Sequence, residues 1–357
     1  MFQGPFPLLE TGRLVLREAN DSDDHSVHFL RNDSAVNRYV KRKGSNSLDE
    51  AADFIARVRN NFTDQKGIYW CITQKDDDTM IGSICFWNFS EDMRSAELGY
   101  DLHPDWQGKG IMAEALRAIL WQGFLKLKLT SVSAYTQHDN VSSIQLLVRH
   151  GFQHDPKLID EDNWKNKVFL MDRSAYFEHI QQPKSLKHFL EVANAVKALP
   201  YGRTTSRDDL SLVLTEGKGS CSSKHAFLAD IAHKNGLKQV DLVLAIYLMD
   251  ERNTPAIGKT LANSGIPCIP EAHCYLKIEG KRHDFTHINA DITAIEPALV
   301  SELIIHPEQV NTFKIDYHKD YLKNWISEHK VDLDFESLWN LREACINKLS
   351  QEWGGND

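Results

Sequence analysis

No apolar run in this sequence approaches the roughly 18–20 residues that a membrane span needs, so no segment reads as a transmembrane helix. Its first residues, Met1 to Pro5, show neither the basic region nor the apolar stretch of a secretory leader, and the expectation is a cytoplasmic chain without membrane association. It has no CxxC pair. Six cysteines (Cys71, Cys85, Cys221, Cys268, Cys274, Cys345) in 357 residues do not make a disulfide framework and are expected to be reduced thiols, mostly in cores. Positive charge is not in excess either: 41 Lys+Arg against 50 Asp+Glu leave a net charge of −9, which argues against nucleic acid as a partner. Internal repeats and low-complexity tracts are missing too.

What the chain does have is the length and apolar content for two cores, with 42% hydrophobic and 25% charged residues. The best boundary is Gln181-Gln182-Pro183-Lys184, which splits the chain into domains 1–182 and 183–357. A new amphipathic stretch (Leu186, Phe189, Leu190, Val192, Ala195, Val196) follows that proline. In the first half, strand signals at Arg13–Arg17, Ile68–Thr73, Met80–Asn88, Ala96–Leu102, Val132–Thr136 and Val168–Met171 alternate with helical ones at Asp24–Arg31, Leu48–Asn60, Met112–Leu120 and Ile144–Val148. That order predicts a mixed α/β sheet with flanking helices. The second half opens helical and carries a helix over Ser220–Ala232. Alternating strands follow at Val240–Leu248 and Ala272–Ile278, with a return at Arg282–Thr286 and a helical tail at Phe335–Leu349. This is an α+β pattern, with each strand expected to bury one face.

Between a strand and a helix lies Trp106-Gln107-Gly108-Lys109-Gly110-Ile111-Met112. Glycines there let the backbone approach a ligand, and free N–H groups at the helix start favour an anion such as a pyrophosphate. The segment resembles the acetyl-CoA loop of the GNAT N-acetyltransferases, Gln/Arg-x-x-Gly-x-Gly/Ala, with Met112 at the last position instead of Gly or Ala. Three further stretches are similar to the branch typified by ribosomal-protein N-terminal acetyltransferases: Thr11-Gly12-Arg13-Leu14-Val15-Leu16-Arg17, Glu97-Leu98-Gly99-Tyr100-Asp101-Leu102-His103-Pro104, and Asn140-Val141-Ser142-Ser143-Ile144 ending in Gly151-Phe152. The resemblance spans about residues 6–180. It implies acetyl-CoA as cosubstrate and an amine or peptide acceptor. Backbone groups of Tyr100, Asp101 and Leu102 would run beside the pantetheine, and N–H groups from Gln107 to Met112 would hold the pyrophosphate. It also implies a Leu102 N–H polarising the thioester. Asn140 would contact the cofactor by its family position. The acceptor amine must be neutral to attack, which makes Glu97 the local candidate for a base. Ser143 is either the donor of a proton to the leaving thiolate or a cap of its helix. His103 reads as a loop residue.

The second constellation is Gly217-Lys218-Gly219-Ser220-Cys221-Ser222-Ser223-Lys224-His225, which puts a cysteine at a predicted helix start, where its thiol pKa is lowered. His273 and Asp284 fall on the two arms of a hairpin turning at Glu279-Gly280. If Ile278 pairs with Lys281, His273 and Asp284 share a face, so Asp284 would orient His273 and His273 would activate Cys221. The order Gly-x-Cys, His, Asp-x-Thr (Gly219-Ser220-Cys221, His273, Asp284-Phe285-Thr286) resembles the transglutaminase-like cysteine enzymes over about residues 185–300. Two positions depart: no Trp accompanies Cys221, and Cys274 follows His273. The fold implied is transglutaminase/papain-like, and the activity one on an amide or peptide. Zinc held by Cys221, Cys268, His273 and Cys274 is the competing reading, disfavoured because adjacent strand residues point to opposite faces; no metal is expected. His225, His283 and His287 read as surface or loop residues. The alternative for the whole chain is an acetyl-CoA-binding sensor or scaffold with an inactive thiol fold.

Overall fold

The computed structural model describes residues 4–354; the first three residues of the start read above for a leader lie outside them. The chain forms two compact units, one up to His179 and one from Ile180 onward. Among the described residues, no helix is long and apolar enough to cross a membrane.

The first unit is built on β1 (Leu9–Glu10), β2 (Leu14–Glu18), α1 (Asp24–Asn32), α2 (Leu48–Thr63), β3 (Gly67–Gln74), β4 (Asp77–Trp87) and β5 (Ser95–Leu102). There follow α3 (Ile111–Trp121), β6 (Ser131–Gln137), α4 (Val141–Arg149), β7 (Gln153–His154), β8 (Asn166–Asp172) and α5 (Arg173–Ile180). Its eight-stranded sheet runs β1-β2-β3-β4-β5-β6-β8-β7. The strands from β1 to β5 form an antiparallel meander, and only β5 and β6 pair in parallel. The hairpin between β3 and β4 turns at Lys75-Asp76, so β4 begins earlier than its apolar residues suggest. α3 buries Met112, Ala115, Leu116, Ile119 and Leu120 on one stripe, the spacing visible in the sequence.

The second unit contains α6 (Leu186–Lys197), α7 (Leu212–Thr215), α8 (Cys221–Lys234), β9 (Val240–Met249), β10 (Ile269–Ile278), β11 (Lys281–His283), β12 (Leu299–Ile305), α9 (Thr312–His329) and α10 (Phe335–Trp353). Its antiparallel sheet has the order β11-β10-β9-β12, with α8 packed against β9 and β10. Three expectations need correction. β12 and α9 are elements that the sequence pattern does not announce. β9 and β10 are buried on both faces and not on one: Val243, Ala245 and Tyr275 form an apolar cluster with Ile292 and Leu299, while Leu242, Leu244 and Ile246 are also sealed off. The returning strand stops at His283, because the Asp284 carboxylate turns to accept the N–H and hydroxyl of Thr286, a local bond that ends the ladder.

Candidate active sites

In the first unit β5 pairs with β6 only over Ser95–Leu98 against Ser131–Ala134, and beyond Leu98 the two strands part. On the other edge, the N–H of His103 donates to the Ile81 carbonyl at 2.8 Å, and Asp101 lies opposite Ser83. By strand alternation, the backbone groups of Asp101 are therefore spent on β4, and those of Tyr100 and Leu102 face the wedge. This corrects the expectation that three consecutive residues line it. The Asp101 side chain is also committed, to Arg42 at 2.8 Å and Ser83 at 2.6 Å. Gln107 Nε2 donates to the Leu102 carbonyl at 3.0 Å, which leaves the Leu102 N–H as the polar group at the wedge.

The loop after β5 turns into α3 through two left-handed glycines, Gly108 at φ +71° and Gly110 at φ +75°. A side chain on Gly108 would be strained by its φ, although its Cβ would project into open space. Among the described residues, the N–H groups from Gly108 to Met112 donate to no protein acceptor, while the Gln107 N–H bonds the Pro104 carbonyl at 3.1 Å. Gln107 is thus removed from the expected anion-binding run. Met112 fits its position because its side chain is turned into the core and only its N–H is offered. The motif Thr11-Gly12-Arg13 fixes this helix start: Thr11 Oγ1 and Arg13 Nε bond the Glu114 carboxylate at 2.6 and 2.7 Å, and Arg13 Nη1 donates to the Lys109 carbonyl at 3.1 Å.

Asn140 is the N-cap of α4, its Oδ1 accepting the Ser143 N–H at 3.2 Å, so capping belongs to Asn140 and not to Ser143. The Ser143 hydroxyl pairs instead with the Tyr100 hydroxyl at 2.7 Å. Burial pushes the Tyr100 phenol up to about 12. The sequence reading passed over this hydroxyl; its signal is an acid-capable side chain on the strand that borders the wedge. Glu97 stands at the mouth, opposite Trp87, and accepts from Asn88 Nδ2. Partial burial raises its pKa, the Asn88 bond opposes this, and the like charge of Asp160 adds to it. His103 caps the turn at Pro104–Trp106 and stacks on Phe29, with ring centroids 4.4 Å apart.

Diverging strands beside an N–H nest at a helix start form a cleft whose polar end suits an anion such as a pyrophosphate. The family profile described as "Acetyltransferase (GNAT) domain" matches residues 13–153. The uncharacterized N-acetyltransferase YoaA of Bacillus subtilis is 31% identical over 150 residues, covering 42% of this chain and 85% of that protein. The [ribosomal protein uS5]-alanine N-acetyltransferase of Escherichia coli is 29% identical over 175 residues, covering 45% and 87%. Among solved structures, a GNAT-family acetyltransferase from Bacillus anthracis matches 47% of this chain with 99% of its own, at 21% identity and a TM-score of 0.41. The chain belongs to the GNAT acetyltransferases: it is an acyltransferase, and its cosubstrate is acetyl-CoA.

The second unit brings Cys221, His273 and Asp284 together. Ser220 caps α8 and closes a reciprocal bond with Ser223, so Cys221 occupies the first helical position, with its Sγ 3.8 Å from the Ser222 hydroxyl. β10 and β11 pair Ile278 with Lys281 and Leu276 with His283, which carries His273 to Asp284: His273 Nε2 lies 2.9 Å from Asp284 Oδ2. That leaves Nδ1 toward the thiol, and the imidazole and Cys221 influence each other's charge strongly. Burial alone would raise the thiol pKa. The charge of His273 and then of Lys314, with hydrogen bonds from His273 and the Cys274 N–H, outweighs burial and brings it down to about 6. Burial likewise opposes protonation of His273, but the charges of Asp284 and Cys221 carry it up to about 10. Asp284 is held well below the carboxylate range, burial being outweighed first by His273.

Three residues of this site escaped the sequence reading. His225 is fully buried, not a surface residue: its Nδ1 bonds the Cys221 carbonyl at 2.7 Å and its Nε2 accepts the Phe285 N–H at 2.7 Å. Lys224 is also fully buried, and its ammonium donates to the carbonyls of Leu199 and Thr286 at 2.5 and 2.7 Å. Both lie three and four residues after Cys221, the spacing that returns to one helix face, and that was the available signal. The third, Lys314 on α9, is 5% exposed and makes no hydrogen bond or ion pair with a described residue. Among the described residues, no group of three or more His, Cys, Asp and Glu side chains is placed to hold a metal ion.

Proposed function

We propose that residues 1–182 transfer acetyl from acetyl-CoA to a primary amine, that of a protein or peptide N-terminus, and that residues 183–357 form a transglutaminase-like domain acting on an amide or peptide. Support for the acceptor comes from the mouth of the wedge, where Glu97 and Asp160 repel each other electrostatically beside Tyr135 and an exposed Trp87. Two carboxylates draw an ammonium, and Glu97, with its raised pKa, takes the proton that the amine must lose before it attacks. The Leu102 N–H polarises the thioester carbonyl, the amine nitrogen bonds to that carbon, and the carbon–sulfur bond breaks. The Tyr100–Ser143 hydroxyl pair then protonates the departing thiolate. The uS5-alanine N-acetyltransferase among the relatives acetylates an alanine nitrogen of a protein by name, which favours a protein or peptide amine here.

In the second domain, the His273–Asp284 hydrogen bond together with the electrostatic coupling of His273 to Cys221 carries the reading. The thiolate attacks the carbonyl, His273 hands its proton to the leaving amine, and the resulting thioester passes its acyl group to water or to a second amine. Release of free CoA with a panel of amines, with Gly110→Pro as control, tests the first activity; tight CoA binding without release would favour a sensor. Thiol labelling across pH with His273→Ala tests the second: an unchanged, ordinary thiol at Cys221 would exclude the triad.

A further inference from the structure

Within electrostatic reach of Cys221 lies a cation that the chemistry above leaves unused. Arg207 lies in the loop between α6 and α7. With Arg203, Thr204, Ser220, Ser222 and Ser223 it lines a slot of about 10 Å³, and these serines flank the nucleophile in the chain. Arg207 is half-buried and makes no hydrogen bond or ion pair with any described residue. The charges around it are those of Arg203, Cys221, Arg342 and Glu343. Every nearby carboxylate is already engaged: Glu343 with Arg203 at 2.8 Å and Arg342 at 2.7 Å, and Glu271 with Arg342. Of the four acids that line the 380 Å³ cavity Arg207 also borders, Asp208 bonds Asn311, Asp209 bonds Ser211 and Asp230 pairs with Lys234, while Glu308 forms no ion pair with Arg207. A guanidinium drawn partly out of water beside two other arginines loses hydration and meets repulsion, and nothing in the fold returns that cost. Its planar fork matches a carboxylate, and the place where one can arrive is the slot lined by the serines on either side of Cys221 in the chain.

We propose that the thiol site takes an acyl donor carrying a carboxylate close to the carbonyl under attack, and that Arg207 is the residue that holds this carboxylate. The proposal rests on Cys221 being the nucleophile of the second domain. It makes Arg207 a specificity residue and leaves the bond-making to Cys221 and His273.

The test compares two alkylating agents on the full chain, iodoacetate and its neutral counterpart iodoacetamide. In both reactions the Cys221 thiolate displaces iodide, forming a carbon–sulfur bond as the carbon–iodine bond breaks. Mass spectrometry of the Cys221 peptide gives each rate, and the half-exposed Cys268 serves as an internal reference. Cys221 is expected to prefer iodoacetate far more than Cys268 does. Arg207→Gln is expected to cut the iodoacetate rate about tenfold while leaving the iodoacetamide rate unchanged. Arg207→Lys should retain much of the preference, and high salt should weaken it in the native chain. An iodoacetate-to-iodoacetamide ratio that Arg207→Gln does not move overturns the proposal. If neither reagent singles out Cys221 near neutral pH, or if His273→Ala changes neither rate, the nucleophile reading itself falls, and that result is distinct from an unmoved ratio. Arg207→Gln breaks no hydrogen bond or ion pair of the fold and keeps much of the side chain's bulk, so the glutamine variant is a fair comparison.

Discussion

His225 ties the Cys221 carbonyl to the Phe285 N–H, with both hydrogen bonds at 2.7 Å. A single imidazole, fixed as the Nδ1–H tautomer and completely buried, thereby holds the helix that carries the nucleophile to the turn that carries Asp284. Burial keeps it neutral, lowering its pKa to about 4.

His225→Ala should therefore leave Cys221 and His273 in place but loosen Asp284. The expected result is a slower Cys221 alkylation whose pH profile shifts upward. The buried Phe285 N–H and Cys221 carbonyl lose their partner, which costs about 1–3 kcal/mol of stability. A pH profile of alkylation together with thermal melts separates the two effects. His225→Gln, which can still donate to the Cys221 carbonyl, should recover part of the profile.

For the thiol itself, the reactive thiolate should appear as pH rises through about 6, paired with the His273 imidazolium until that proton is lost at about 10 and unpaired above it. An ordinary cysteine becomes reactive only near ~8.5. His273→Ala removes the largest favourable charge and leaves burial to act, so the inflection should move above the ordinary value. Lys314→Met removes the second charge and should raise it by a smaller amount. Rates of iodoacetamide modification from acid to alkaline pH check all three curves.

The same sites show which parts of the fold a sequence makes legible. The glycine nest was readable because its requirement is local: residues in left-handed conformation before a helix. The His273–Asp284 pair was readable because a two-residue turn sets hairpin register. α9 was not, because its buried stripe begins with Lys314 and His318 before reaching Leu322 and Trp325. Polar side chains turned toward a site remove the apolar periodicity by which a helix is recognised. α8 was legible over Ser220–Ala232 although it is buried on nearly every side; with no face standing out, its end at Lys234 was not. β12 exposes Val300, Leu303 and Ile304 on an irregular pattern, and alternation fails there as well.

In the acetyltransferase unit, Tyr100→Phe keeps the ring and removes the hydroxyl bonded to Ser143. If that pair supplies the proton to the leaving thiolate, kcat should fall about 10²-fold while KM for acetyl-CoA stays near its native value. Glu97→Gln should instead abolish the acid limb of kcat/KM. In the native chain that limb should lie above the ~4.3 of a free glutamate, because burial raises the Glu97 pKa. Steady-state kinetics over pH distinguish the two roles.

Gly110→Ala should act on binding. At φ +75° an alanine is strained by roughly 1–2 kcal/mol, although its Cβ would meet only Arg13 Nη2 at 3.6 Å. If the loop relaxes, the N–H groups of Ile111 and Met112 turn away from the pyrophosphate. KM for acetyl-CoA should then rise about tenfold with kcat little changed, the equivalent of about 1.4 kcal/mol. Titration calorimetry with CoA gives the same quantity without turnover.

Stability against acid should depend on Glu271. Its carboxylate lies on β10 and pairs with Arg342 of α10, and both side chains are buried. Burial would raise the Glu271 pKa, but the charge of Arg342, then that of His318, outweighs it and brings the pKa down to about 2. A folded-state pKa below the unfolded ~4.3 means that the pair stabilises above that value and that the contribution fades as pH falls toward about 2. Arg342→Met leaves Glu271 as a buried, uncompensated charge and should cost about 3–5 kcal/mol near neutral pH. Protonation would then relieve the strain, so the variant should lose less stability between neutral and mildly acid pH than the native chain does. Replacing both partners, Glu271→Gln with Arg342→Met, should recover most of the loss. Urea unfolding of the three proteins at several pH values checks this order, and a single variant as stable as the native chain would show that the pair carries no stability.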